Sequence, residues 1–339
     1  MNSLEHYDVL REGAGMLRRG DRGRILLKGQ DRLTYLHGLL TNDIAALGPG
    51  SGCYAALLTP QGRMISDMRV FELGDAVLID LDATLAPAIR EHLDRFVITE
   101  DVLVEDATAS LAQIGLYGPT AGRTLAAALG RHAVPGESAP DAAALDALRP
   151  FENRRWDFSG VPVYVLRSRE DGVPGFDLVV AADRADALLD AVHAAGAVFV
   201  DPAALEVTRV EAGIPKFLVD MDTTTIPLEA GIEHRAISMT KGCYVGQEVI
   251  VRVLHRGGGR VARKLVMLQA DGPVDRGDAL LAGDREVGSI TSAVDSPRFG
   301  SRLALGYVHR DVADGGAELS VRSAGGIVRA RVARGEIRA

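Results

Sequence analysis

Six short apolar runs, at residues 264–268, 279–281, 286–293, 303–308, 318–321 and 328–332, close the chain, each set off from the next by glycine and aspartate turns. Short strands punctuated this evenly read as a small antiparallel β-barrel. The barrel begins after the loop His255-Arg256-Gly257-Gly258-Gly259-Arg260, which lacks the lysine and hydroxyl of a phosphate-binding P-loop. Residues 1–255 show a different order, strand, hairpin, capped helix, strand, and show it twice. That order predicts an α+β class, two related, intertwined modules rather than a parallel dinucleotide-binding sheet. Gly13-Ala14-Gly15 follows no strand at the spacing a Rossmann fingerprint requires. The expected division is therefore residues 1–255 for the two modules and 256–339 for the barrel.

Within the first module, residues 23–29 read as a strand, and Asp31 as the N-cap of a helix with Leu33, Leu36 and Leu40 on one face, closed by Thr41-Asn42-Asp43-Ile44. Residues 52–58 and 64–73 form a hairpin around Pro60-Gln61-Gly62. From Asp82, as cap, Leu85, Ile89, Leu93 and Phe96 mark an amphipathic helix, and residues 101–106 an edge-like strand. In the second module, residues 111–117 form a strand that passes through Gly118-Pro119 into a helix ending near Gly130. Residues 133–146 read as a linker, 154–166 and 175–181 as two strands, and Asp183 as the cap of a helix burying Leu188, Leu189 and Val192. Asp220 and Asp222 lack the further spaced oxygen ligands of a cation site and read as turn or capping residues.

The densest chemistry lies in Lys241-Gly242-Cys243-Tyr244-Val245-Gly246-Gln247-Glu248. Lys241, two residues from Cys243, is placed to favour its thiolate, and a helix start nearby would add to that. Gly242 and Gly246 allow tight turns or a close backbone approach. Val245, Val249, Ile250, Val253 and Leu254 recur at helical spacing, while Val249, Val251 and Val253 also alternate as in a strand; the helix is preferred. Read alone, an isolated cysteine is a buried structural thiol more often than a reactive one.

The pattern Lys-Gly-Cys-Tyr-x-Gly-Gln-Glu resembles the signature of the folate-binding YgfZ family, relatives of the glycine-cleavage T protein, and matches it at every specified position. Leu36-x-x-Leu39-Leu40-Thr41-Asn42-Asp43, the turn 116–121, Arg209-Val210-Glu211-Ala212-Gly213-Ile214-Pro215 and the barrel are also similar to that superfamily. The resemblance implies a folate cleft lined by Asn42, Tyr54, Asp67, Arg209, Lys241 and Tyr244, with Thr225-Ile226-Pro227-Leu228-Glu229 bringing the signature into it. Arg209 would orient the ligand or the domain interface. T proteins carry paired aspartates after the glycine turn, where this chain has Ser66 and Asp67. They also present a pterin-binding glutamate at about the position of Val173, which cannot accept a hydrogen bond.

A formal net charge of -8 argues against broad binding to nucleic acid, which needs a concentrated basic surface. The N-terminus shows no signal-peptide pattern, no apolar run approaches membrane-spanning length, and Cys53 and Cys243 make neither a disulfide framework nor a zinc pair, so a cytoplasmic protein is expected. Two readings of function follow from the resemblance. One is a tetrahydrofolate-binding accessory protein for iron-sulfur cluster assembly or repair, affecting tRNA modification indirectly through iron-sulfur enzymes. Cys243 would be its reactive group, tuned by Lys241 and Glu248. With two cysteines, any iron-sulfur cluster would be transient or shared with assembly proteins. The alternative is a folate-dependent one-carbon transferase with Asp67 as its acid-base residue. A scaffold in which Cys243 is purely structural is the blandest reading.

Overall fold

The computed structural model describes residues 3–133, 140–169, 171–256 and 258–333. Helix α1 (Ser3–Glu12) buries Tyr7 and Leu10 and precedes strand β1 (Gly15–Arg18), so the early glycines follow a helix. Strand β2 (Arg22–Lys28) leads to helix α2 (Arg32–Leu39), which turns Tyr35, Leu36 and Leu39 inward. Asp31 precedes that helix but does not cap it; its carboxylate instead accepts from the Asp101 amide at 2.9 Å, tying two loops together. The hairpin is β3 (Gly52–Leu58) and β4 (Met64–Glu72), followed by β5 (Val77–Asp82), helix α3 (Ala86–Asp94) and the edge strand β6 (Leu103–Asp106). Asp82 caps a turn, accepting from the Thr84 amide and hydroxyl, and the helix begins a turn later with Pro87 in its first turn. Phe96 lies beyond the helix end and is exposed.

The second module runs through β7 (Leu111–Tyr117), α4 (Ala121–Arg131), α5 (Ala142–Asp146), β8 (Asn153–Phe158), β9 (Val161–Ser168), β10 (Gly175–Ala181), α6 (Ala185–Ala194) and β11 (Val198–Phe199). Residues 154–166 are thus not one strand but a hairpin. Its two turn residues, Ser159 and Gly160, both have positive φ, 53° and 82°, the geometry that suits the twist of a two-residue hairpin loop. Of the expected linker, residues 134–139 lie outside the described residues, and Asp141 caps α5 by accepting from the Ala144 amide at 2.6 Å. Asp183 sits in a 3-10 turn ahead of α6 and gives it no side-chain cap, although Leu188, Leu189 and Val192 are buried as expected. Helix α7 (Pro202–Glu211) went unanticipated, despite Asp201 as its cap and Pro202 at its first position. Three short helices follow, α8 (Pro227–Ala230), α9 (Glu233–Ala236) and α10 (Gln247–Val251). A π turn, Arg252–Arg256, then runs into what reads in sequence as a loop, with Gly257 outside the described residues.

Two sheets organise these modules, β3-β4-β5-β2-β6 and β11-β1-β7-β10-β9-β8. Each sheet sets a three-strand meander beside the strand that opens its module, β3-β4-β5 beside β2 and β8-β9-β10 beside β7, which is the repetition read in the sequence. They intertwine because β1 crosses into the second sheet, pairing antiparallel to β7 and parallel to β11. Helices α2 and α3 cover one sheet and α4 and α6 the other. The inner faces meet through Phe71 and Leu78 from one sheet and Leu166 and Val179 from the other. The remaining strands, β12 (Arg263–Ala270), β13 (Ala279–Ala282), β14 (Arg285–Ser296), β15 (Ser301–His309), β16 (Glu318–Ser323) and β17 (Gly326–Val332), close an antiparallel barrel in the order β12-β15-β14-β13-β16-β17. Val210 of α7 docks on it against Leu265, Val294, Leu303, Leu305 and Tyr307. No described helix is long and apolar enough to cross a membrane.

Candidate functional site

Strand alternation on β3 and β4 decides what faces the space between the modules. Tyr54 lies opposite Arg69, and Ala56 opposite Asp67, so Tyr54, Asp67 and Arg69 share one face. The other face packs Ala55, Leu57, Met68 and Val70 against α2 and α3. Ser66 is fully buried on that second side and donates its hydroxyl to the Asp67 carbonyl. A carboxylate at position 66 would therefore point away from Asp67.

The face carrying Tyr54 and Asp67 lines a cleft of about 390 Å3 with Arg19, Asp21, Asp171, Arg209 and Lys216. The Tyr54 hydroxyl donates to Asp67 Oδ2 at 2.7 Å, and the Arg235 guanidinium stacks 4.3 Å from the Tyr54 ring centroid. Asn42 is not among the lining residues; its amide donates to the Tyr54 carbonyl at 2.8 Å and the Arg235 carbonyl at 2.9 Å, holding the main chain behind both. Arg209 lines the cleft, but its guanidinium is committed to the domain junction. It donates to Asp220 Oδ2 at 2.7 Å, Glu206 Oε2 at 2.9 Å and, on the barrel, Ser292 Oγ at 2.8 Å. Asp220 is thus a turn residue as expected, its carboxylate accepting from the Lys216 amide at 3.0 Å, and a buried ion-pair partner as well, while Asp222 holds a turn through Thr224 and Thr225.

Behind the cleft lies a charge network absent from the sequence reading. Arg69 donates to Asp177 Oδ2 at 2.6 Å across the sheet interface and also pairs with Asp80. Tyr117 donates to Asp177 Oδ1 at 2.6 Å, and Arg19 reaches Tyr117 and, at 2.7 Å, Asp171. Burial opposes the Asp177 charge, yet Arg69 and Arg19 more than offset it and hold its pKa below the ordinary value. Asp21 is likewise held well below its usual range, Arg19 overcoming the burial penalty. The available signal was a charge inside an apolar strand, as in Val77-Leu78-Ile79-Asp80-Leu81 and Phe176-Asp177-Leu178, since such a charge is buried only when paired. Val173 is 2% exposed, packs with Leu10, Leu17 and Tyr117, and is not among the lining residues. The carboxylate that does reach the cleft from this loop is Asp171.

The Lys241–Glu248 segment stands outside the lining. Lys241 does not serve Cys243. Its buried ammonium donates to the carbonyls of His37, Leu40, at 2.6 Å, and Asn42, at 3.1 Å, so all three protons are used on the C-terminal end of α2. Burial pulls its pKa down to about 8, with Asp43 and Cys53 pulling it back. Tyr244 is buried with Tyr54, Leu58 and Ile250, its ring 5.0 Å from the Lys241 ammonium. Gly246, at φ 85°, comes so close to the β3–β4 turn that an added Cβ would lie 2.5 Å from the Thr59 carbonyl oxygen. Its glycine serves a contact between backbones. Gly242 and Cys243 are exposed, Gln247 starts α10, and Glu248 is exposed in its first turn. Cys53 is half-buried, and burial pushes its thiol up to about 12. Among the described residues no group of three or more His, Cys, Asp and Glu is placed to hold a metal ion.

Comparison with known proteins places this arrangement. The GCVT N-terminal domain matches residues 3–241, and the glycine cleavage T-protein C-terminal barrel domain matches residues 263–336. An aminomethyltransferase of Geobacillus kaustophilus is 29% identical over 97% of this chain and 88% of its own. One from Thermosynechococcus vestitus is 27% identical over 94% of this chain and 83% of its own. In fold, the glycine cleavage system aminomethyltransferase T from Bartonella henselae superposes with a TM-score of 0.85 at 22% identity, over 98% of this chain and 88% of its own.

Proposed function

The chain belongs to the glycine cleavage T-protein family, and from that membership we propose that its central cleft binds tetrahydrofolate and supports one-carbon transfer of the aminomethyltransferase kind. The observation that carries this reading is the Tyr54–Asp67 pair, set in a cleft of about 390 Å3, a volume suited to a small ligand. The relatives named aminomethyltransferase, matched over most of their length, favour it over the accessory reading. Tetrahydrofolate supplies amine nitrogens that carry the one-carbon unit. Asp67 accepts and returns a proton at the edge of the cleft, and the Tyr54 hydroxyl fixes the rotamer in which it does so. Asn42 holds the Tyr54 main chain, and Arg209 keeps the cleft wall and the barrel in one register. The Ser66 departure is compatible with this, because that side chain faces the other way. We place the boundary between modules and barrel at residues 255 and 256.

A second reading rests on the complete Lys-Gly-Cys-Tyr-Val-Gly-Gln-Glu segment with Cys243 exposed outside the cleft, where a partner protein reaches it. In that reading the protein is a YgfZ-type accessory factor. It binds folate in the same cleft and presents Cys243 to iron-sulfur enzymes or assembly proteins, with tRNA modification affected only through those enzymes.

Anaerobic calorimetry with tetrahydrofolate beside folic acid tests the shared premise, with one ligand per chain expected. Methylenetetrahydrofolate formation that is lost in Asp67→Asn and kept in Cys243→Ser supports the transferase. Absence of transfer, with iron-sulfur enzyme activity in cells rescued by the wild type and not by Cys243→Ser, supports the accessory factor. A wild-type protein that binds no tetrahydrofolate overturns the cleft assignment in both.

A further inference from the structure

The cleft wall holds five arginines, Arg18, Arg19, Arg22, Arg69 and Arg209, and one lysine, Lys216. Every one of the arginines has a carboxylate within ion-pair distance. Among the described residues the Lys216 ammonium has none. Asp21 feels its charge, but Arg19 already bonds both oxygens of Asp21, each at 3.0 Å.

The main chain of Lys216 is anchored more firmly than that of an ordinary loop residue. Its amide donates to Asp220 Oδ2 at 3.0 Å, and its carbonyl accepts from Asp220 at 2.7 Å and from Val219 and Met221 at 3.2 Å. Asp220 is in turn clamped by Arg209 and by the barrel hydroxyls of Thr291 and Ser292. The chain thus fixes the base of a cationic side chain, directs that residue to the wall of the cleft, and gives it no ion-pair partner among the described residues. A half-buried ammonium in this setting gains most from an anion that enters with the ligand.

We infer that Lys216 is the anion anchor of the cleft and receives a carboxylate of the bound ligand. This rests on the folate reading above. That carboxylate is supplied by the glutamyl tail of tetrahydrofolate, since an aminomethyl donor carries none. The remaining cations of the wall are already paired.

The test is calorimetry on the wild type, Lys216→Met and Lys216→Arg, with tetrahydrofolate and with 6-methyltetrahydropterin, which lacks the glutamyl tail. Lys216→Met weakens tetrahydrofolate binding by about 3- to 10-fold, the scale of a partly exposed ion pair, Lys216→Arg restores it, and the pterin is unaffected. The salt sensitivity of binding falls in Lys216→Met as well. Equal affinities of the wild type and Lys216→Met for both ligands, with tetrahydrofolate bound, overturn the inference alone. No tetrahydrofolate binding by the wild type overturns the folate reading and this assignment with it.

Discussion

Tyr54 and Asp67 meet diagonally across the β3–β4 hairpin, hydroxyl to carboxylate at 2.7 Å, on the one face of the first sheet that looks into the cleft. A carboxylate held by a charge-assisted hydrogen bond keeps one orientation, and a proton-transfer group depends on that orientation. Asp67→Asn is expected to lower any one-carbon transfer rate by about 10²- to 10⁴-fold, the usual share of general acid-base catalysis. Tyr54→Phe should cost about tenfold, the loss of one hydrogen bond to a charged group. Steady-state rates at saturating folate measure both. Full activity in Asp67→Asn would remove it from the mechanism.

The two modules are joined by buried charges, and that junction responds to acid. Asp177 has a folded pKa held below its unfolded value, so its contribution is complete above about pH 4 and is lost as pH falls below that. Urea unfolding of the wild type should therefore show stability declining as pH falls below about 4, and the decline should be shallower in Asp177→Asn. At pH 7, Arg69→Met leaves Asp177 and Asp80 without their shared partner and should destabilise by about 3–5 kcal/mol. A loss under 1 kcal/mol would mean that water enters the interface.

Lys241 and Cys243 are two residues apart and do different work. Lys241→Met removes three charge-assisted bonds from the end of α2, an expected loss of about 2–4 kcal/mol. Cys243→Ser changes an exposed position outside any helix or strand and should leave the melting temperature within a degree or two of the wild type. Thermal melts of the two variants side by side check the contrast. Equal destabilisation would place Cys243 in the fold.

What the sequence made legible follows from local rules. The periodicities of β3, β7, β10 and α6 and the turn-punctuated barrel strands are properties of short windows, and the chain adopts them as read. Tyr54, Asp67 and Arg209 were recognised through the family likeness, and all three line one cleft. The partner of Lys241 was misread because sequence proximity to Cys243 competes with a contact spanning about two hundred residues, and only the folded chain brings α2 beneath the signature. Arg69, Asp80 and Asp177 stayed hidden for the same reason, since each looks like an anomaly until the sheets are set face to face. Lys216 carries no local signal at all. Its significance comes from the pairing of every arginine around it.

The last prediction concerns the two thiols, which the fold separates sharply. Cys243 is exposed in an irregular segment, while Cys53 lies half-buried on the helix-covered side of the first sheet with its thiol pushed up to about 12. The thiolate is the nucleophile, so Cys53 has almost none of it at neutral pH. A maleimide added to the native protein at pH 7 should modify one thiol per chain, mapped to Cys243 by peptide mass, and a second only after denaturation. Tetrahydrofolate should leave the Cys243 rate unchanged, because Cys243 is not part of the cleft wall. Protection by folate would instead bring the signature segment to the ligand, and would move the balance toward a mechanism in which Cys243 and the cleft act together. Unequal but comparable rates for both thiols would show that the β3–β4 hairpin opens on the timescale of the reaction, and with it the Gly246 contact that pins the signature to the Thr59 turn.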